Sequence, residues 1–133
     1  MIDTSVYIGH WERGFYADSL AEVQGAFVIR HSAVVLSELR RGARTREAAK
    51  TVARLHDLAP DIWQPSEQDW WEAGRIILTV GDAHDWDRSK RRDFQNDALI
   101  ALTARGHGAT VVTANREDFE ILGRSLGVRV LVV

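Results

Sequence analysis

Apolar residues recur at helical spacing along most of the chain, and short runs rich in β-branched residues separate these stretches. The helical spacing predicts helices at about residues 6–15, 17–24, 33–42, 45–58, 66–81 and 93–105, with a last one beginning at 115–118. The β-rich runs predict strands at 1–2, 26–30, 61–64, 109–113 and 128–133. This order predicts a single α/β domain over residues 1–133, a three-layer α/β/α sandwich with a mainly parallel central sheet. The aliphatic last run predicts an interior strand.

The helix at 93–105 combines an apolar circumference with a carboxylate. A helical projection places Asp97 between Ala101 and Ala104, with Asp93 one turn earlier on the same side. The remaining surface is apolar and predicts a buried helix: Phe94, Ala98, Leu99, Ile100 and Leu102. A buried carboxylate needs compensation, and a cation could supply it. Alternatively, both acids open the helix, where the macrodipole favours negative charge.

Three further acids occupy comparable positions, each with a structural alternative. Asp3 and Asp118 follow predicted strands, at the sheet edge where open parallel sheets bind ligands. Asp3 could equally cap the first helix. Glu38 falls inside the apolar arc of the helix at 33–42, where a glutamate needs a partner, unless its carboxylate reaches solvent at the edge of that arc.

Composition limits the classes of protein. With 133 residues, 45% hydrophobic and 27% charged, the chain suits one soluble domain. The absence of cysteine excludes disulfides and thiolate metal sites, and the five histidines show no paired metal spacing. No apolar run approaches the length of a membrane span, and the N-terminus lacks a basic segment leading into an apolar one, so we expect a cytoplasmic protein.

The net charge is −2, so binding of a nucleic acid would require a local basic patch. Arg40 and Arg41 follow Glu38 directly. A polar segment at 84–93, predicted to be a loop before the Asp97 helix, adds four more basic residues: Arg88, Lys90, Arg91 and Arg92. This segment could be a solvated loop, or it could contact phosphates. Among the tryptophans, Trp70 is expected in the core, and Trp71 and Trp86 are candidates for exposure.

The coarse structure places the four acids at one edge of the sheet: Asp3, Glu38, Asp97 and Asp118. Clustered carboxylates repel and raise one another's pKa unless cations intervene. Ligands that are all oxygen suit Mg²⁺ or Mn²⁺ rather than zinc. Such ions lower the pKa of a bound water and stabilise an in-line displacement at phosphorus, which is phosphodiesterase chemistry.

Four segments in order resemble the motifs of one family, the PIN-domain ribonucleases of the VapC toxin type. The segments are DTS at 3–5, SELRRG at 37–42, NDALIALTAR at 96–105 and VVTANREDF at 111–119. The resemblance covers the whole chain and implies a PIN fold and a Mg²⁺- or Mn²⁺-dependent endoribonuclease. It also implies neutralisation by a small cognate antitoxin, and with exposed aromatics such as Trp11 it favours a homodimer.

Matched residue by residue, the resemblance implies that Asp3, Glu38, Asp97 and Asp118 are the catalytic, metal-binding acids. It assigns supporting positions to Thr4, Ser5, Thr113 and Asn115, and the helical projection adds Asp93. Arg40, Arg41, Arg88, Lys90, Arg91 and Arg92 are the expected RNA contacts. Some members carry an acid where this chain has Asn115, so one metal ion or two remains open.

Other α/β classes fit less well. A haloacid-dehalogenase-type phosphatase would require a second aspartate where this chain has Ser5, and a response-regulator receiver would require a lysine after a late strand. The remaining alternative is a PIN-like module that binds RNA or protein without catalysis. The presence of all four acids argues against it.

Overall fold

The structure is a computed structural model that describes residues 1–133. Helices dominate, and their bounds are α1 (Thr4–Arg13), α2 (Ala17–Ala26), α3 (Ala33–Gly42), α4 (Arg46–Leu58), α5 (Glu67–Ala83), α6 (Arg88–Gly106) and α7 (Arg116–Leu126). The strands are β1 (His31–Ser32), β2 (Ile62–Trp63), β3 (Thr110–Thr113) and β4 (Arg129–Val132). None of the helices combines the length and apolar character that a membrane crossing requires.

Every strand pairing is parallel. β1 pairs with β2, and β3 pairs with β4 along its whole length, from Thr110 opposite Arg129 to Thr113 opposite Val132. Ile2 adds a parallel bridge to Val112 of β3, so the predicted opening strand is confirmed. Glycines with φ near +65° precede β3 and β4, at Gly108 and Gly127. The parallel α/β sandwich predicted from the sequence is confirmed.

Helix α6 is the centre of the molecule. Phe94, Leu99, Ile100 and Leu102 are at most 1% exposed, and α3, α5, α7 and β3 all pack against the helix. The predicted all-round burial is therefore confirmed. This helix also carries Asp97, so the backbone of the acid belongs to the packed core.

The predicted strand at 26–30 is wrong. Helix α2 continues to Ala26, the next four residues form no strand, and β1 begins only at His31. Phe27 and Val28 are 63% and 76% exposed, although both residue types favour strands. Strand propensity has no effect here because no neighbouring backbone pairs with this segment.

The predicted loop at 84–93 is also wrong beyond Asp87. The side chain of Asp87 accepts a hydrogen bond from the backbone N–H of Lys90 at 2.8 Å and caps α6. The basic residues that follow are good helix formers and occupy its first turns. Asp97 therefore lies in mid-helix, which excludes the interpretation that it opens the helix.

Two predictions of burial fail at the periphery. β4 pairs only with β3 and is an edge strand, so Leu131 is 42% exposed. Trp70 is 52% exposed rather than in the core, because α5 packs through Ala73, Ile76 and Val80 instead. The exposure predicted for Trp71 is confirmed, and Trp86 is half-buried against Phe94.

Candidate metal centre

The fold brings together the four acids that are far apart in sequence. Asp3 follows the Ile2 bridge and caps α1, Glu38 lies on α3, Asp97 on α6, and Asp118 in the first turn of α7. Their carboxylates are close enough that the charges of the other three raise the pKa of Asp97. The cluster lies where the carboxyl ends of parallel strands meet helix N-termini, as expected for a ligand site in this class of fold.

Hydroxyl groups hold the Asp3 carboxylate in place. The hydroxyls of Ser5 and Thr113 donate to its Oδ2 at 2.6 and 2.9 Å. Ser5 Oγ in turn accepts from the backbone N–H of Ala114 at 3.0 Å. Asp3 is only 3% exposed, and burial raises its pKa, while these hydrogen bonds act in the opposite direction. Asp3 therefore both caps a helix and belongs to the acidic cluster.

Glu38 is partly buried and held at both carboxylate oxygens. Thr4 Oγ1 donates to Oε2 at 2.6 Å, and Asn96 Nδ2 donates to Oε1 at 2.8 Å. These contacts exclude a side chain that simply extends to solvent. Asn96 is a site residue that the sequence pattern did not single out. Its position directly before Asp97, within the segment NDALIALTAR, could have indicated from the sequence that it belongs to the site.

Asn115 joins two of the acids. Its Nδ2 donates to Asp97 Oδ2 at 3.1 Å and to Asp118 Oδ2 at 3.0 Å. The residue also caps α7, and its own backbone N–H donates to Thr113 Oγ1 at 2.9 Å. Asn115 thus links the end of β3 to the acidic cluster. Its amide donates to both carboxylates, which also act on each other directly, since Asp118 raises the pKa of Asp97.

Asp97 has the most strongly raised pKa of the four acids. Burial and then the negative charges of Asp3, Asp118 and Glu38 raise the pKa of its carboxyl to about 8. The neighbouring Ala101 and Ala104 are completely buried and offer no polar group. A carboxylate in these surroundings is ionised at neutral pH only in part, unless a cation offsets the repulsion.

One cation of the chain already lies in the cluster. Lys90 Nζ contacts both oxygens of Asp118, at 2.7 and 2.8 Å, and lies 5.1 Å from the centre of the Trp86 ring. The sequence pattern predicted Lys90 as an RNA contact and did not indicate this ion pair. Lys90 precedes Asp97 by seven residues, or two helical turns, so both lie on the same face of α6. This spacing could have indicated from the sequence that Lys90 lies near the acids.

The other predicted basic residues divide into two groups. Arg91 donates to the carbonyl of Trp86 at 3.0 Å and to Asp82 at 2.9 Å, and its guanidinium packs on Gly81, so it fastens the turn between α5 and α6. The exposed residues are Arg40, Arg41, Arg88 and Arg92. Asp93 is also exposed and pairs with Arg92 at 3.6 Å, and no hydrogen bond joins it to the four acids.

The donor chemistry of the cluster fits a hard divalent cation. All of its charged ligands are carboxylates, and their mutual repulsion would be relieved by a bound Mg²⁺ or Mn²⁺. As the side chains stand, no three acids are arranged around a common point at which an ion could bind. In this arrangement Lys90, Asn96 and Asn115 occupy carboxylate oxygens. Binding of an ion would have to exchange some of these hydrogen bonds.

Comparison with known proteins identifies the family and the fold. A family model described as PIN domain matches residues 1–124. Similar solved structures include VapBC2 from Rickettsia felis bound to a promoter DNA fragment, with 22% identity, a TM-score of 0.68 and coverage of 100% of this chain and 97% of that one. VapBC-1 from nontypeable Haemophilus influenzae has 18% identity, a TM-score of 0.73 and coverage of 99% and 96%.

A third similar structure is DNA-bound VapBC from Salmonella typhimurium, with 21% identity, a TM-score of 0.68 and coverage of 99% of this chain and 96% of that one. No curated protein matches the chain in sequence. At these identities the solved structures support the fold, and the functional argument must come from the site itself.

Proposed function

Because the chain belongs to the PIN domain family, we propose that it is a divalent-metal-dependent endoribonuclease that hydrolyses RNA phosphodiester bonds. The observation that carries the proposal is the convergence of four carboxylates from different parts of the fold, and their charges together with burial raise the pKa of Asp97. A fold gains no stability from such repulsion, so a functional cation is the better explanation. The ligands would be Asp3, Glu38, Asp97 and Asp118, and the ion Mg²⁺ or Mn²⁺.

The residues of the chain would act by holding this site in one geometry. A bound divalent ion would lower the pKa of a coordinated water and offset negative charge on the phosphate. Thr4, Ser5 and Thr113 fix the carboxylates of Glu38 and Asp3 by short hydrogen bonds. Carboxylates held by such hydrogen bonds are oriented before the substrate binds. Arg40, Arg41, Arg88 and Arg92 are exposed on the same helices, α3 and α6, and would contact the RNA backbone.

Incubation of the purified protein with labelled total RNA tests the function. Cleavage is expected with Mn²⁺ or Mg²⁺ at millimolar concentration, loss of cleavage in EDTA, and recovery when Mn²⁺ is added back. Full activity in EDTA would refute the metal-dependent mechanism. RNA binding without cleavage in either ion would instead indicate a catalytically silent PIN module.

We further propose that the protein is a VapC-type toxin neutralised by a cognate antitoxin. The structures to which it is similar are VapBC assemblies. Two largely apolar grooves support this proposal. One, of about 660 Å³, lies between α3 and α4, and its lining includes Leu36, Ala49, Val52 and Ala53. The other, of about 440 Å³, runs from Trp11 and Ile8 to Glu38.

The second groove connects an apolar surface with the acidic cluster. An antitoxin helix could lie on Ile8 and Trp11, which are 41% and 40% exposed, and extend a basic side chain towards Glu38. Co-expression with the protein encoded beside it, followed by purification of a complex, tests this partner. Light scattering of the isolated protein tests the expected homodimer, and a monomer would contradict it.

A further inference from the structure

We propose that the ammonium group of Lys90 takes the position of a second divalent cation, so that the acidic site binds one metal ion rather than two. The inference rests on the proposed metal-dependent function. It assigns Lys90 to the site as a resident counter-cation of Asp118 and not as a surface contact for RNA.

The geometry of Lys90 is that of a charge held at a fixed place. Nζ contacts both carboxylate oxygens of Asp118, whose side chain is only 8% exposed. A charge-assisted contact with a buried carboxylate is stronger than a neutral hydrogen bond and less screened than a surface ion pair. Trp86 supports the ammonium through its ring face, 5.1 Å away. Lys90 lies in the first turn of the well-capped helix α6, so its backbone is fixed as well.

Asn115 contributes to the same arrangement. A second ion between Asp97 and Asp118 would need oxygen ligands there, and Asn115 Nδ2 instead directs a donor group at one oxygen of each. Lys90 and Asn115 together therefore satisfy both oxygens of Asp118 with hydrogen-bond donors. Asp3, Glu38 and the remaining oxygen of Asp97 form the other side of the cluster, where one divalent ion would bind after some of the present hydrogen bonds are exchanged.

Lys90 supplies part of the positive charge that the cluster requires. Together with one divalent ion it offsets three of the four negative charges that the carboxylates carry when all are ionised. A second divalent ion would compete directly with the ammonium of Lys90 for the oxygens of Asp118.

The test is the number of Mn²⁺ ions bound per protein chain, measured by isothermal titration calorimetry and by the loss of the electron paramagnetic resonance signal of free Mn²⁺. The wild type is expected to bind one ion. Lys90→Gln, which removes the charge and keeps a polar side chain, is expected to bind two. Lys90→Arg keeps a positive charge at the position and should bind one.

Arg92→Gln is the matched control, because it removes a positive charge from the same helix at an exposed position that pairs only with Asp93 and Ser89. It should bind one ion, as the wild type does. Thermal unfolding in EDTA adds a second readout. Lys90→Gln should unfold at a lower temperature than the wild type, since Asp118 loses its counter-charge, and should gain more from added Mn²⁺.

Two ions in the wild type would overturn the inference, and so would a Lys90→Gln protein that binds one. These results would leave the metal-dependent function intact. Failure of both the wild type and Lys90→Gln to bind Mn²⁺ would overturn the proposed function together with the inference. If Lys90→Gln does not fold, the stoichiometry of the wild type and of Lys90→Arg still decides the matter.

Discussion

The side-chain amide of Asn115 donates to the carboxylate of Asp97 at 3.1 Å, and the same nitrogen donates to Asp118 at 3.0 Å. A neutral residue therefore bridges two acids that belong to different helices. This contact ties the end of β3 to the middle of α6. It places Asp97, the acid with the most strongly raised pKa, at the centre of the site.

Replacement of Asp97 by asparagine separates catalysis from folding. Asp97→Asn removes one of four repelling charges at nearly constant shape, so we expect RNA cleavage to fall by at least about a hundredfold. Thermal stability in EDTA should stay the same or rise, because repulsion is relieved. The matched control is Asp93→Asn, at an exposed acid on the same helix. Cleavage retained by Asp97→Asn would refute the site assignment.

The pH dependence of stability provides a second test, carried out without metal. The folded pKa of Asp97 is raised to about 8, so the folded protein keeps a proton that the unfolded chain has already released. The contribution of this proton to the free energy of unfolding is fully present below the ordinary aspartate pKa of about 4. It is lost as pH rises towards 8. Asp3, whose pKa is also raised, acts in the same direction.

We therefore expect the free energy of unfolding in EDTA to decrease between pH 5 and pH 8, with a contribution from Asp97 of up to about 1.4 kcal/mol per pH unit. Urea unfolding at several pH values measures this slope. The slope should be smaller in Asp97→Asn. Equal slopes for both proteins would show that Asp97 is not the group responsible.

Thr113→Val tests the support of Asp3. The Thr113 hydroxyl is completely buried, donates to Asp3 and accepts from the backbone N–H of Asn115. Its loss leaves the N–H of Asn115 without a partner and removes one of the two hydroxyl donors of Asp3, with Ser5 remaining, at an expected cost of about 1–3 kcal/mol in unfolding free energy. Thr103→Val is the matched control. The buried Thr103 hydroxyl bonds only the carbonyl of Leu99 within α6, so its removal should cost less.

The exposed arginines are testable through the salt dependence of RNA binding. The double substitution Arg40→Gln with Arg41→Gln should weaken binding and reduce the salt slope by about 0.7 for each phosphate that these side chains neutralise in the wild type. The matched control is Arg124→Gln, which removes an exposed positive charge from the last turn of α7. This position is at the opposite end of the helix from Asp118, which lies in the first turn. An unchanged slope in the double variant would indicate that Arg40 and Arg41 are solvated surface residues that do not contact RNA.

The sequence by itself determined the order of the elements and the identity of the acids. Helical spacing around Asp97 predicted a buried helix, and it is buried because nearly every position on its circumference is apolar. The polar loop after β3 likewise predicted a last helix that starts near Asp118, and α7 begins at Arg116. These features were predictable because each depends on residues that are neighbours along the chain or within one or two helical turns.

Only the tertiary structure decided which side chains meet. The pairing of Lys90 with Asp118 joins residues 28 positions apart, and the contact of Asn96 with Glu38 joins residues 58 apart. The burial of β4 and Trp70 also depended on which surfaces the other elements cover. Local pattern fixes the face on which a residue lies, whereas its partner depends on how the elements pack, since packing brings together residues with no sequence relationship.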